Sequence, residues 1–354
     1  MADGISRGGL ARHSTPWLFI VPIALGAVIA NAFGSTLIVD LYTYFCVTLM
    51  LVLGLQMFMG NSGILNWSYV GYMGVGAFGS GILSIAPNVK AMAVPNMYPF
   101  LVELQTSIPV AILVGGVVAA VIAAIIAWPL MRLSDAVGVI TLFATLIVFH
   151  VIMTQWDNVT NGPRTFFGIM RFTTIWIALA AAALTILAAY YFRESSLGLR
   201  LRASRDDRYA AMATGINIVS VRYMTYVLSA FISGLAGGLW AHYITSFSPT
   251  TSFYVTEVFV LLTMLVIGGE GSISGAVVGT AIITVLREML RQLESMINNS
   301  GSFTGDVYGL TQVAMAFLMI IILIWRPVGI IGGQELSWPL FRKKRVADSA
   351  SPAE

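Results

Sequence analysis

Between Ser107 and Met131 the chain carries no charged side chain, and this stretch is one of ten such apolar runs. An α-helix needs ~20 apolar residues to cross the hydrocarbon of a bilayer. In lipid, only helices and closed barrels satisfy every backbone N–H and C=O internally. The first six runs lie at Trp17–Ile38, Leu41–Met59, Ile64–Ala86, Ser107–Met131, Ala136–Gln155 and Thr173–Phe192. Four more follow a charged loop, at Tyr223–His242, Glu257–Ile267, Ile273–Leu286 and Tyr308–Trp325. They predict an all-α polytopic membrane protein of about ten transmembrane helices. The short runs within residues 257–286 read either as two spans or as one broken, re-entrant pair. The first run lacks a small-residue cleavage site followed by a soluble domain, so it reads as a retained span.

Composition supports a lipid solvent: 58% of the residues are hydrophobic and 10% charged, with mean hydropathy +0.86. A soluble domain carries roughly a quarter charged residues. The net charge of +3 is too small to point to nucleic acid. The single cysteine, Cys46, excludes an internal disulfide and sits in an apolar run as a packing residue.

Basic residues set orientation, since cytoplasmic loops collect Lys and Arg. With ten crossings, one side carries Arg7, Arg12, Arg132, Arg193, Arg200, Arg202, Arg205, Arg208, Arg222, Arg326, Arg342, Lys343, Lys344 and Arg345. The other carries Lys90, Arg164, Arg171, Arg287 and Arg291. Both termini are therefore expected in the cytoplasm. Residues 1–16 form the N-terminus, 17–333 the transmembrane domain with a cytoplasmic loop at 193–221, and 334–354 the tail.

The runs argue against several function classes. None has an acid, lysine or arginine near its centre, whereas ion-coupled transport needs ionisable groups at membrane depth. Asp40, Asp135 and Glu257 lie at run ends, and His150 and His242 read as neutral residues bonded to neighbouring helices. No Gly-Lys-Ser/Thr phosphate loop occurs. The "GVGAFG" of Gly74–Gly79 has dinucleotide spacing but no preceding strand, so Gly71, Gly74, Ala77 and Gly81 read as helix-packing positions. Three histidines and one cysteine make no metal or hydrolytic cluster. The chain is thus expected to be no enzyme and to hold no cofactor, metal or catalytic residue.

Three segments remain. "GNSGILNWSY", Gly60–Tyr69, is either a short interhelical turn or a stretch with free backbone groups lining a watery route. "GGEGSISGAVVG", Gly268–Gly279, reads as a tight turn or a second such stretch. The candidates for a translocation path are Gly60, Asn61, Gly63, Asn66, Trp67, Gly268, Gly269 and Gly271. In "SRDDRYAAMATG" Ser204 and Asp207 have capping-box spacing, and Gly215 supplies a left-handed stop. The implied helix, Arg205–Thr214, is ~15 Å long and too short to be stable alone in water. Arg205, Asp206, Asp207 and Arg208 can make charged hydrogen bonds, while Tyr209, Ala210, Ala211, Met212 and Ala213 offer a small, adaptable face. A helix lying on the membrane surface is the alternative; a peg for a cytoplasmic partner accounts better for its small, acid-paired character.

The stretch "SLGLRLRASRDDRYAAMATGINIVSVRYMTYVLSAFISGLAGGLWAHY" resembles the cytoplasmic loop and next helix of the branched-chain amino acid ABC transporter permeases, the LivM/LivH type. "SPTTSFYVTEVFVLLTMLVIGGEGSISGAVVG", "GLQMFMGNSGILNWSYVGYMGVGAF" and "NVTNGPRTFFGI" add matches from about Gly54 to Ile330. The resemblance implies a permease subunit of an importer in a bacterial inner membrane, with membrane lipid around it. Its implied partners are two cytoplasmic ABC ATPases, a second and non-identical permease, and an extracytoplasmic solute-binding protein. It also implies that Arg205–Gly215 is the coupling helix gripped by the ATPase. Arg208 departs from the family's third acid, Asn66 and Trp67 replace smaller residues, and "MRLSDAVGVITLFATL" lacks an Arg-Gly-x-Tyr-Phe run. The solute is accordingly read as a branched-chain or other apolar amino acid, with urea or short amides as the alternative. A secondary transporter or channel is the competing class.

Overall fold

The computed structural model describes residues 16–299, 309–326 and 329–332. Residues 1–15 and the tail with Arg342–Arg345 lie outside the described residues. The first half holds α1 (Trp17–Phe33), α2 (Thr36–Ser62), α3 (Tyr69–Ser84), α4 (Pro87–Ala93), α5 (Pro99–Glu103), α6 (Ile108–Leu130) and α7 (Asp135–Gln155). Next come α8 (Asp157–Thr160), α9 (Ile175–Glu194), α10 (Ser196–Asp206), α11 (Arg208–Ala213) and α12 (Ile218–Ile244). The last are α13 (Pro249–Ser252), α14 (Val255–Gly268), α15 (Ile273–Asn299) and α16 (Leu310–Trp325). Among the described residues the one β feature is an isolated bridge between Phe166 and Phe247.

Seven stretches are long and apolar enough to cross a membrane: α2, α6, α7, α9, α12, α15 and the α13–α14 segment. Helices α1, α3 and α16 have 17, 16 and 16 residues, so the expected ten full-length crossings exceed what the described helices carry. In the region of residues 257–286, the α13–α14 segment and α15 are each long and apolar enough to cross a membrane. Helix α15 runs on past the predicted end at Leu286 to Asn299, because Leu286, Leu290, Leu293 and Ile297 keep the helical period after continuous hydrophobicity ends.

The short helix α3 is the centre of the molecule. It packs between α12 and α6, with α7 against a further face, and nearly every residue in it is buried. This closeness is built from glycine. A Cβ on Gly76 would lie 2.0 Å from the Gly234 carbonyl oxygen, and one on Gly237 would lie 2.0 Å from that of Met73. On its other face, Gly71 receives the Phe149 ring and Gly74 the Met153 side chain, as the packing reading of "GVGAFG" expects. In lipid, backbones approach through such small residues and gain dispersion contacts, because the surrounding tails are as apolar as the helices.

Side-chain contacts define two ends. At one, Arg205 of α10 reaches the ends of α2 and α14, and Arg222 of α12 reaches Asp135 of α7. At the other, Arg171 pairs with Asp40, and the Tyr243 hydroxyl donates to the Asp40 carbonyl at 2.9 Å. Lys90 is buried there, its ammonium donating to the carbonyls of Leu101 and Leu104, and burial pulls its pKa below the ordinary lysine value.

The glycine contacts give a direct test. Gly76→Val should cost more than the ~1–3 kcal/mol of ordinary overpacking, since the obstacle is backbone. Gly138→Val should be nearly neutral, because nothing lies within 4 Å of its Cβ position. Thermal unfolding of both variants in detergent checks this: Gly76→Val should lower the midpoint strongly, and an equal effect at both sites would contradict the account.

Candidate functional site

The charged central loop is two helices with a sharp break. Ser195 caps α10, its Oγ accepting from the Gly198 N–H at 3.2 Å. At Asp207 the backbone turns extended (φ −148°, ψ 110°), and its Oδ1 accepts from the N–H groups of Tyr209 at 2.8 Å and Ala210 at 3.0 Å. The expected single helix Arg205–Thr214 capped by Ser204 is therefore corrected. Ser204 is buried inside α10, donating back to the Leu201 carbonyl at 2.7 Å. Aspartate wins the cap because its charge also meets the positive end of the new helix. Gly215 (φ +81°) ends the turn as expected, with the Ile216 N–H bonded to the Ala211 carbonyl at 3.1 Å.

This break tilts α11 outward. Ala211 is 4% exposed and holds the helix to the body, whereas Tyr209 is 81% exposed. Ala210, Met212 and Ala213 are exposed beside it, as are Asp206 and Asp207. Arg208, also exposed, comes within 3.6 Å of Asp135 Oδ1, and the same carboxylate oxygen accepts from Arg222 at 2.6 Å. Arg208, which stands where the resemblance would put a third acid, is thus within ion-pair distance of an acid of its own chain.

Arg205 joins all three unusual segments. Its guanidinium donates to the Gly60 carbonyl and to Glu270 Oε1, the latter at 2.6 Å, and its stem lies against Gly63. The glycines there permit close backbone approach. A Cβ on Gly60 would meet the Glu270 carbonyl at 2.2 Å, and one on Gly268 would meet that of Gly275 at 1.9 Å. Gly269 (φ +119°) and Gly271 make the turn between α14 and α15.

Residues 63–68 are non-helical and run inward. Ser62 is followed by Gly63 in the left-handed region (φ 73°), which ends α2. Asn61 bonds back to the carbonyls of Gln56 and Met57 at 3.3 and 3.0 Å. Asn66 accepts from Ser68 at 2.8 Å, Ser68 meets the Tyr226 hydroxyl at 2.7 Å, and Tyr226 meets that of Tyr72 at 3.0 Å. Trp67 stacks edge-on against Phe143 and Phe259. So the structure gathers Gly60, Gly63 and the Gly268–Gly271 turn around Arg205 at one end, while Asn66 and Trp67 lie deeper, bonded or closely packed.

Cavities open at the other end. One of about 260 Å³ lies among α2, α3, α12, α14 and α15, with Tyr44, Thr48, Glu257 and Arg287 on its wall. A second, of about 560 Å³, adjoins it through Tyr44 and Arg287 and extends past Asp40, Glu288 and Arg291. Arg287 donates to the Tyr44 hydroxyl at 2.7 Å and to Glu257 Oε1 at 3.1 Å. The sequence places Arg287 just beyond a span ending at Leu286; it is halfway along α15, a helix long and apolar enough to cross a membrane, so that boundary is corrected. The continuing helical period of residues 286–297 was the signal that could have found it.

Both histidines have neighbours. His242, fully buried, bonds the Gly238 carbonyl at 2.8 Å and Ser84 Oγ at 3.0 Å, while the His150 ring lies 4.4 Å from that of Tyr254. Among the described residues no group of three or more His, Cys, Asp or Glu is placed to hold a metal.

Known proteins resemble this arrangement in sequence. The chain is 25% identical to the high-affinity branched-chain amino acid transport system permease protein LivM of Escherichia coli K12, over 89% of this chain and 74% of that one. It is 31% identical to the permease protein LivH of Salmonella typhimurium LT2 over 46% of this chain and 47% of that one. A probable LivH of Methanocaldococcus jannaschii is 25% identical over 72% of this chain and 82% of its own. No solved structure matches the chain. The family described as the branched-chain amino acid transport system permease component matches residues 37–325. With its membrane-crossing helices, its glycine-packed centre and this match over most of its length, the chain belongs to that permease family.

Proposed function

We propose that this permease is one membrane-spanning subunit of an ATP-binding-cassette importer in a bacterial inner membrane. It forms a translocation path with a second, non-identical permease and takes a branched-chain or other apolar amino acid from an extracytoplasmic binding protein. Two separate cytoplasmic ATPases drive it. The observation that carries this reading is α11: a six-residue helix, capped at both ends, whose small face is exposed while Ala211 anchors it. A helix so short has no independent stability, and its exposed alanines leave room for another backbone.

Arg205, Asp206, Asp207, Arg208, Tyr209, Ala210, Ala211, Met212, Ala213 and Gly215 then form the coupling segment. Closure of the ATPases moves α11, and two charged ties carry the motion into the membrane. Asp135 links Arg208 of α11 to Arg222 of α12. Arg205 links the end of α10 to Gly60 and Glu270. Gly60, Asn61, Gly63, Asn66, Trp67, Gly268, Gly269 and Gly271 make the closed cytoplasmic end of the path, which opens when that tie shifts. Charge-assisted hydrogen bonds suit this use, being directional and quickly re-formed.

Two outcomes are expected. Ala210→Trp should insert and fold normally yet lose ATPase association, read by pull-down in mild detergent from the host membrane; normal association would remove α11 from the coupling role. Arg205→Ala should keep the partners bound and ATP hydrolysed, while solute moved per ATP falls a few-fold, as befits a part-exposed ion pair worth ~1 kcal/mol. Reconstituted vesicles measure that ratio, and an unchanged ratio would remove the tie from the mechanism.

A further inference from the structure

The pair Arg287 and Glu257 is built for more than holding two helices together. Arg287 sits midway along α15 and Glu257 in the first turn of α14, and the two meet as an ion pair at 3.1 Å on the wall of the cavity of about 260 Å³. An arginine offers five N–H donors. Among the described residues, only two bonds draw on them, to Tyr44 and Glu257. Glu257 accepts from Arg287 through Oε1, and its second oxygen has no protein donor among the described residues. Cation and anion are each about 30% exposed (30% and 29%), and both line the cavity.

The remaining wall is mixed, with the hydroxyl side chains of Thr251 and Ser252 on one part and apolar surface on another. Leu51, Met73, Trp240, Val260 and Leu261 close it, with the Thr48 hydroxyl beside Tyr44. We infer that this cavity is a zwitterion site: Arg287 takes the carboxylate of an α-amino acid, Glu257 takes its ammonium, and the apolar wall takes an aliphatic side chain. Ion pairs cost desolvation when buried, and a ligand carrying both charges replaces the lost water at each. Arginine matches a carboxylate bidentately, which a neutral amide cannot use. Urea would leave Glu257 short of a cation and the apolar wall empty. The site therefore separates the two solute classes that the sequence left open. It also lies at the end away from α11, where a solute handed over from outside enters. The assignment rests on the importer reading for its place in transport, but its binding chemistry is testable separately.

The test is equilibrium binding of radiolabelled L-leucine to the assembled membrane complex in nanodiscs, without a solute-binding protein. Saturable binding is expected, competed by L-isoleucine but not by isoamylamine, 4-methylvalerate or urea. Arg287→Gln and Glu257→Gln should each weaken it roughly ten- to a hundredfold, the range for losing a hydrogen bond to a charged group. Val260→Phe leaves the ion pair intact and fills the cavity, so it should weaken L-leucine while sparing L-alanine. It decides the matter if the charge variants fail to assemble. Absent binding, competition by isoamylamine or 4-methylvalerate, or an unchanged affinity in Val260→Phe would overturn the site. ATPases missing from the wild-type complex would instead sink the importer reading, with L-leucine binding still deciding this one.

Discussion

The approach of α12 to α3 through Gly76, Gly234 and Gly237 is the constraint on which the rest depends. Lipid offers no hydrophobic gain for pairing two apolar helices, so affinity must come from close packing and from polar groups that find each other. Once these backbones touch, hydroxyls fall into reach. Ser233 donates to the Tyr69 carbonyl at 2.8 Å and Ser229 to that of Gly54 at 2.7 Å, tying α12 to α3 and α2. The chain from Asn66 through Ser68 and Tyr226 to Tyr72 occupies the same seam. A wider separation would leave each of these groups unsatisfied. Packing and polar satisfaction are one design here.

That seam also decides what can move. Residues 64–68 enter the interior in non-helical form, yet Ser68, itself bonded to Asn66, holds them to Tyr226 of α12. Arg205 fastens the exposed end of the same stretch to the α14–α15 turn. One contact is deep and bonded through neutral hydroxyls. The other is a charged tie at a part-exposed end, where water can replace a broken bond at little cost. A fold that must change shape during a cycle is expected to break the second kind and keep the first.

The all-helical, membrane-crossing class was legible because hydrophobicity is the dominant signal in lipid, and the glycine-spaced α3 was legible as a packing surface. Element ends were harder. The cap moved from Ser204 to Asp207 because several residues in "SRDD" can cap, and only tertiary contact decides which amide group is left open. Helix α15 was cut at Leu286 because the run stops being continuously apolar there. Its remaining half is amphipathic, with Arg287, Glu288 and Arg291 interleaved among Leu290, Leu293 and Ile297. A hydropathy window reads that as an exit from the membrane, whereas helical periodicity reads it as a helix with one wet face.

That error had a functional cost, since it moved Arg287 out of the protein's interior. All three acids found at run ends prove to be arginine partners: Asp40 with Arg171, Asp135 with Arg208 and Arg222, Glu257 with Arg287. The first two lie at the helix ends, and they fix how those ends meet. The third differs because its arginine comes from the middle of a helix and its partners, Tyr44 and Glu257, leave donor capacity turned toward a cavity. Taking charges out of water costs free energy even when they are paired. A pair that only joined α14 to α15 could be replaced by apolar contact without that cost. The price is reasonable where water, and then a charged solute, occupies the space beside it.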